Sequence, residues 1–120
     1  MGYYAYSASA EFFIKNEDVQ AALDAINKIS SIGANFSDFE EAMADYNFIV
    51  EADAEGNYDS ICFPDEKWRD ADVLLEAIAP YVKNGSFIEM IGEDGMMWRW
   101  LFRDGSCVEQ YVKEIIYEGI

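Results

Sequence analysis

Apolar and polar residues alternate at period two where the chain begins. In residues 3–14, YYAYSASAEFFI, one face collects Tyr4, Tyr6, Ala8, Ala10, Phe12 and Ile14. The other collects Tyr3, Ala5, Ser7, Ser9 and Glu11, with Phe13 out of pattern. Period two with aromatic content predicts a strand. The period then changes. Val19, Ala22, Leu23, Ile26 and Ile29 recur at spacings of three and four, which predicts an amphipathic helix to about Ser31. Asn16 caps it, Glu17 and Asp18 favour its dipole, and Gly33 ends it. In SDFEEAMADY, Ser37 and Glu40 stand at capping-box spacing and predict a short second helix.

Two apolar runs, residues 47–53 and 58–63, flank Ala54-Glu55-Gly56-Asn57 and predict a hairpin. After Pro64 a polar loop carries Trp68. Asp70 or Asp72 then caps a third helix whose inward stripe is Val73, Leu74, Ala77, Ile78 and Tyr81; Pro80 weakens its last turn and Asn84-Gly85 stops it. Three further strands, 86–91, 96–103 and 107–116, are joined at Asp94-Gly95 and Asp104-Gly105, dipeptides suited to tight turns with positive φ. The order β-α-(α)-β-β-α-β-β-β implies a single α+β domain over residues 1–120. It is expected to be two-layered, with helices on one face of a mostly antiparallel sheet. Its first six major elements follow a ferredoxin-like order, β-α-β-β-α-β, extended by a C-terminal β-meander.

The strand 96–103 sets Met96, Trp98, Trp100 and Phe102 on one side and Met97, Arg99, Leu101 and Arg103 on the other. The bulky apolar set is what a sheet buries under helices, and the arginines are expected to pair with acids such as Glu89 or Glu109. On this view the aromatic side chains are consumed by the core. Only negative charge remains outside to meet other molecules.

Composition narrows the chemistry. At 120 residues and 52% hydrophobic content the chain can build a core without disulfides or metal. No apolar run is long enough to span a membrane, and the opening residues lack a signal-peptide layout. Cys62 and Cys107 read as reduced core thiols, so the expected location is the cytoplasm. The absence of His removes the commonest general base and metal ligand. No phosphate-cradling glycine loop or nucleophile elbow occurs. DAEGNYDSICFPDE alternates acids like a calcium loop, yet Tyr58 stands where Gly is required and Pro64 where a bidentate Glu is required. Close acid pairs such as Glu40/Glu41 are expected by chance among 24 acids. The expectation is a protein without enzymatic activity, cofactor or metal.

Charge is the strongest functional signal. Twenty-four acids against eight bases leave −16, beyond the magnitude of about 2–8 that suffices for solubility. Such a chain repels phosphate backbones, so nucleic acid is not an expected direct ligand. From Ile29 to Glu66 there is no Lys or Arg. Within that stretch Glu40, Glu41, Asp45, Glu51, Asp53, Glu55 and Asp59 are the candidate partner-binding residues, a one-sign surface for a basic protein. The alternative is a homodimer formed through an exposed sheet face with Tyr3, Leu101, Tyr111 and Tyr117 as candidates, acidity serving solubility alone.

The small size, the −16 charge, the α+β order and the hairpin FIEMIGEDGMMWRWLFRDG resemble small acidic proteins of bacterial and phage genomes, among them anti-CRISPR and other DNA-mimic inhibitors. The resemblance implies a module that occupies a partner's basic nucleic-acid-binding surface. It carries over no individual residue.

Overall fold

The computed structural model describes residues 3–29 and 35–112. Tyr4–Glu11 forms β1, and Asn16–Ile29 forms α1, which starts at the expected Asn and buries Ala22, Leu23 and Ile26. The second helix, α2, spans Phe39–Asp45; Asp38, not Ser37, is its N-cap, and its carboxylate accepts the Glu41 amide at 2.7 Å. The hairpin is β2, Ile49–Ala52, and β3, Tyr58–Cys62. A two-residue strand, β4, Glu66–Lys67, precedes α3, Ala71–Ile78, which passes into a 3-10 turn at Ala79–Tyr81 where Pro80 is tolerated. On α3 the buried residues include Leu74, Leu75 and Ile78, whereas Val73 is 49% exposed, so Leu75 takes the inward place expected of Val73. The remaining strands are β5, Phe87–Gly92, β6, Met97–Arg103, and β7, Ser106–Tyr111. Gly33 and the far end of the expected last strand, 113–116, lie outside the described residues.

The α+β class holds: helices pack on an antiparallel sheet of order β4-β1-β5-β6-β7. The ferredoxin-like strand order does not appear in it. The hairpin β2-β3 forms a separate two-stranded sheet, and the two-residue β4 pairs with Tyr4 and Ala5 at the edge of β1. The hairpin meets the first strand segment where Ser7 N–H donates to the Phe63 carbonyl and Phe63 N–H donates to Ser7 Oγ, both at 2.9 Å, and just beyond β1 through an Ile14–Tyr58 bridge.

A bulge between Ser7 and Ser9 breaks the β1–β5 register. One extra residue inverts the faces of a strand. Ala5 and Phe12 are therefore both buried although they stand seven positions apart, and Tyr4 and Tyr6 turn outward at 41% and 43% exposure. This corrects the expected single inward face of residues 4–14. Beneath the helices lies one core, anchored by Ile14, Ile26, Phe39, Phe48, Phe63, Leu74, Leu75 and Phe102. Phe48 and Phe63 meet edge-on at 4.9 Å between ring centres, as do Phe12 and Phe102 at 6.1 Å. Among the described residues no helix is long and apolar enough to cross a membrane.

Candidate functional site

The seven predicted acids occupy two neighbouring elements. Glu40 and Glu41 lie on the first turn of α2 and Asp45 on its last, all exposed. Glu51 and Asp59 are exposed on β2 and β3. The helix and the hairpin are joined where Tyr58 donates to Glu40 Oε1 at 3.1 Å and its ring meets Phe39 at 4.9 Å. Burial and the Glu40 carboxylate push the Tyr58 phenol up to about 12. Asp53 has a different task. Its carboxylate accepts the Glu55 and Asn57 amides at 2.9 and 3.0 Å and the Asn57 side chain at 3.1 Å, and these bonds hold its pKa below the usual carboxylate value. It is the anchor of an Asx turn that ends with Gly56 at φ 84°. Glu55 remains an exposed tip residue.

A second arrangement, absent from the sequence-based expectations, involves the tryptophans. Strand β6 brings Trp98 and Trp100 to the helix side of the sheet. The pairing of Lys67 with Tyr4 then carries Trp68 over them, fixed by its amide donating to the Tyr3 carbonyl at 2.7 Å. Trp68 lies parallel to Trp100, 1° between planes and 5.7 Å between centres, and perpendicular to Trp98, 87° and 6.1 Å. Tyr3 closes the corner at 6.1 Å from Trp98. These rings line a cleft of about 440 Å³. The chain has three tryptophans, and all three line this one cleft.

Carboxylates rim it. Asp72 comes from the start of α3, Asp94 from the β5–β6 turn and Glu109 from β7, and all three are exposed. Among the described residues lining the cleft there is no Lys or Arg. Two of the rim acids are held by phenols: Tyr3 Oη donates to Asp94, and Tyr111 Oη donates to Glu109 at 2.7 Å. Asp94 also accepts the Met96 amide at 3.1 Å. The hydrogen bond to Asp94 raises the Tyr3 phenol to about 12 and holds the Asp94 carboxyl below its ordinary value, so Asp94 is a carboxylate at neutral pH. Tyr111 is likewise raised by the Glu109 carboxylate. Among the described residues no three acid or thiol side chains come together as a metal-holding group. The rim charges thus surround a space of molecular size.

One buried donor in the cleft wall is unpaired. Trp100 is 7% exposed, and its indole N–H has no hydrogen-bond partner. Buried N–H groups are nearly always paired, so this one is an exception within the domain.

Several expectations change here. Trp100 and Phe102 are buried as predicted, but the indoles also wall an accessible, acid-rimmed cleft, so aromatic surface is not confined to the core. Arg99 faces Glu89 across the β5–β6 pair but donates to Gln110 Oε1 at 2.9 and 2.7 Å; Glu109 lies on the opposite face, across from Trp100. Cys62 is exposed rather than a core thiol. Burial first, then Glu76 and Glu109, pushes the Cys107 thiol up to about 12, which makes it a poor nucleophile. Of the residues named for a dimer face, Tyr3 and Tyr111 line the cleft, Leu101 lies on the other side of the sheet, and Tyr117 falls outside the described residues. Compared with protein-family models, curated proteins and solved structures, the chain matches none.

Proposed function

We propose that the protein is a non-catalytic binding module whose cleft holds an organic cation. One observation carries this: every tryptophan of the chain turns toward a single cleft whose charged lining is entirely acidic among the described residues. Ring faces attract cations through their quadrupole, and carboxylates at the rim add to that attraction at short range. Tryptophan fluorescence reports on the cleft, since all three tryptophans line it and only Trp98 also borders a neighbouring pocket. The decisive comparison is choline against 3,3-dimethylbutanol, its uncharged carbon counterpart. A saturable response to choline at concentrations where the alcohol gives none is expected. Equal responses, or none to any organic cation, overturn the proposal.

A second reading has its own support. The described residues 35–66 of the base-free run carry α2 and the hairpin, and five of the candidate acids, Glu40, Glu41, Asp45, Glu51 and Asp59, are exposed there without a structural task as clear as that of Asp53. On this reading the unit docks on a basic surface of a partner protein, in the manner of an inhibitor that covers a nucleic-acid-binding site. Reversing Glu40, Glu41, Glu51 and Asp59 to Lys should abolish binding to an arginine-rich test peptide, while reversing Glu17 and Asp24 on α1 should leave most of it. Equal losses from both sets reduce the effect to net charge and remove the face.

A further inference from the structure

The geometry points to a methylated ammonium, above all a trimethylammonium head, as the cation this cleft selects over primary amines and guanidinium groups. The inference rests on the cleft reading above and deepens it.

It follows from which groups the cleft offers and where. The wall is ring faces and the Met96 side chain, and the only buried polar atom in it without a partner is the Trp100 N–H, a donor. The acceptors are carboxylates on exposed rim residues, and two of them already accept phenol protons. A primary ammonium brings three N–H donors and a guanidinium five. Burying such donors against rings leaves them unpaired, and a compact ammonium gives up strong hydration. A trimethylammonium head has no donor to satisfy. It spreads its charge over methyl groups that pack on aromatic faces, which is why aromatic cages suit quaternary ammonium ligands in general. Trp68 and Trp98 pack edge to face at 87° and Tyr3 lies beside Trp98, so three neighbouring rings supply the aromatic lining. Asp94, Asp72 and Glu109 then act through charge alone, at the mouth.

The rim also argues against an anionic ligand elsewhere on the same molecule. Three carboxylates on exposed lining residues disfavour a negatively charged group near the head.

The test titrates the full chain with tetramethylammonium, choline, n-butylammonium and methylguanidinium chlorides. A peptide carrying one trimethyllysine is run beside its unmodified copy. Tryptophan fluorescence and the three indole N–H signals in the nitrogen–proton NMR spectrum are the readouts. The methylated cations should saturate at least about tenfold more tightly than the N–H-bearing ones, and the trimethylated peptide should outbind its copy by a similar factor. Trp98→Ala should weaken tetramethylammonium at least about tenfold, with Trp98→Phe in between. Asp94→Asn, at an exposed position, should weaken it by a smaller factor without altering the melt, which keeps the test open if the tryptophan variant misfolds. Whether the peptide or choline binds more tightly tells a protein side chain from a small molecule as source, and either supports the methylated head. Equal or tighter binding of n-butylammonium or methylguanidinium overturns this inference and leaves the cation reading standing. No saturation by any cation removes both.

Discussion

Gly92→Ala is the most informative single substitution, because one added methyl group separates the wall of the cleft from the stability of the domain. Gly92 ends β5 with no side chain, and the phenol of Tyr3 lies across it: a methyl built there collides with the hydroxyl end, nearest to Oη, then to Cζ, and 2.9 Å from Cε2. Ordinary carbon contacts are about 3.5–4 Å, so the phenol must retreat by about 2 Å. It is the far end of a side chain with two rotatable bonds, so the retreat is open to it. The retreat ends the contact with Trp98, an aromatic pair worth about 0.5–1.5 kcal/mol, and breaks the bond to Asp94. The domain should therefore lose only about 1 kcal/mol and a few degrees of Tm. The cleft loses a wall, so choline affinity should fall roughly 3- to 30-fold. A double-mutant cycle sharpens this. Once Tyr3→Ala has removed the phenol, Gly92→Ala should have almost no further effect on either melt or binding, giving a coupling close to its whole single-site effect. Thermal melts by circular dichroism and the choline titration measure both quantities. If Gly92→Ala costs the same with and without the phenol, Tyr3 does not lie on Gly92 and the cleft is built differently.

Two more outcomes follow from the packing and the raised phenols. Tyr3 and Tyr58 both titrate near 12 in the folded chain against an ordinary 10, so their contribution is fully present below pH 10 and is lost as pH rises through about 12. Tm should accordingly decline across that window, and Tyr58→Phe should flatten part of the decline; an unchanged slope would remove Tyr58 as a cause. Phe63→Ala opens a cavity beneath Phe48 and Trp68, at a residue with no exposure, and should lower unfolding free energy by about 3–5 kcal/mol in urea titrations. A loss below about 1 kcal/mol would mean the hairpin is not seated on that core.

Most elements were legible in the periodicity, and the misses have physical causes. The β1 alternation reads as one clean face, but a bulge leaves no local signature in a Ser-Ala-Ser run, so the swap that buries both Ala5 and Phe12 is invisible without the partner strand. The edge strand of the main sheet is β4, two residues long and too short for any period to mark, so the hairpin's separate sheet was not legible either. The cleft was partly within reach. A two-residue turn at Asp104-Gly105 fixes Arg103 opposite Ser106, which by counting sets Trp100 against Glu109 and Trp98 against Tyr111. That register alone puts a carboxylate beside two indoles on the helix side. The missing piece was Trp68, whose place over Trp100 comes from the long-range pairing of Lys67 with Tyr4. Among the acids, exposure was predictable and role was not: Asp53 looks like its neighbours in the sequence and is spent on the turn.

The two functional readings differ in the range of the forces they use, and that difference decides between them. Docking through the α2–hairpin acids works between exposed charges, whose interaction is screened as the Debye length shrinks from about 10 Å at 0.1 M salt to about 3 Å at 1 M. A cation seated against Trp68 and Trp98 is held at contact distance by ring faces that ionic strength does not weaken, and only the added pull of Asp72, Asp94 and Glu109 fades. The large negative charge serves both, since it enriches any cation near the surface before contact. High salt should therefore erase affinity for basic proteins while leaving most of the affinity for a methylated ammonium. A ligand whose binding disappears in step with screening belongs to the acidic face. One that persists belongs to the tryptophans, and then the acidity outside the cleft has the lesser role of gathering what the cleft keeps.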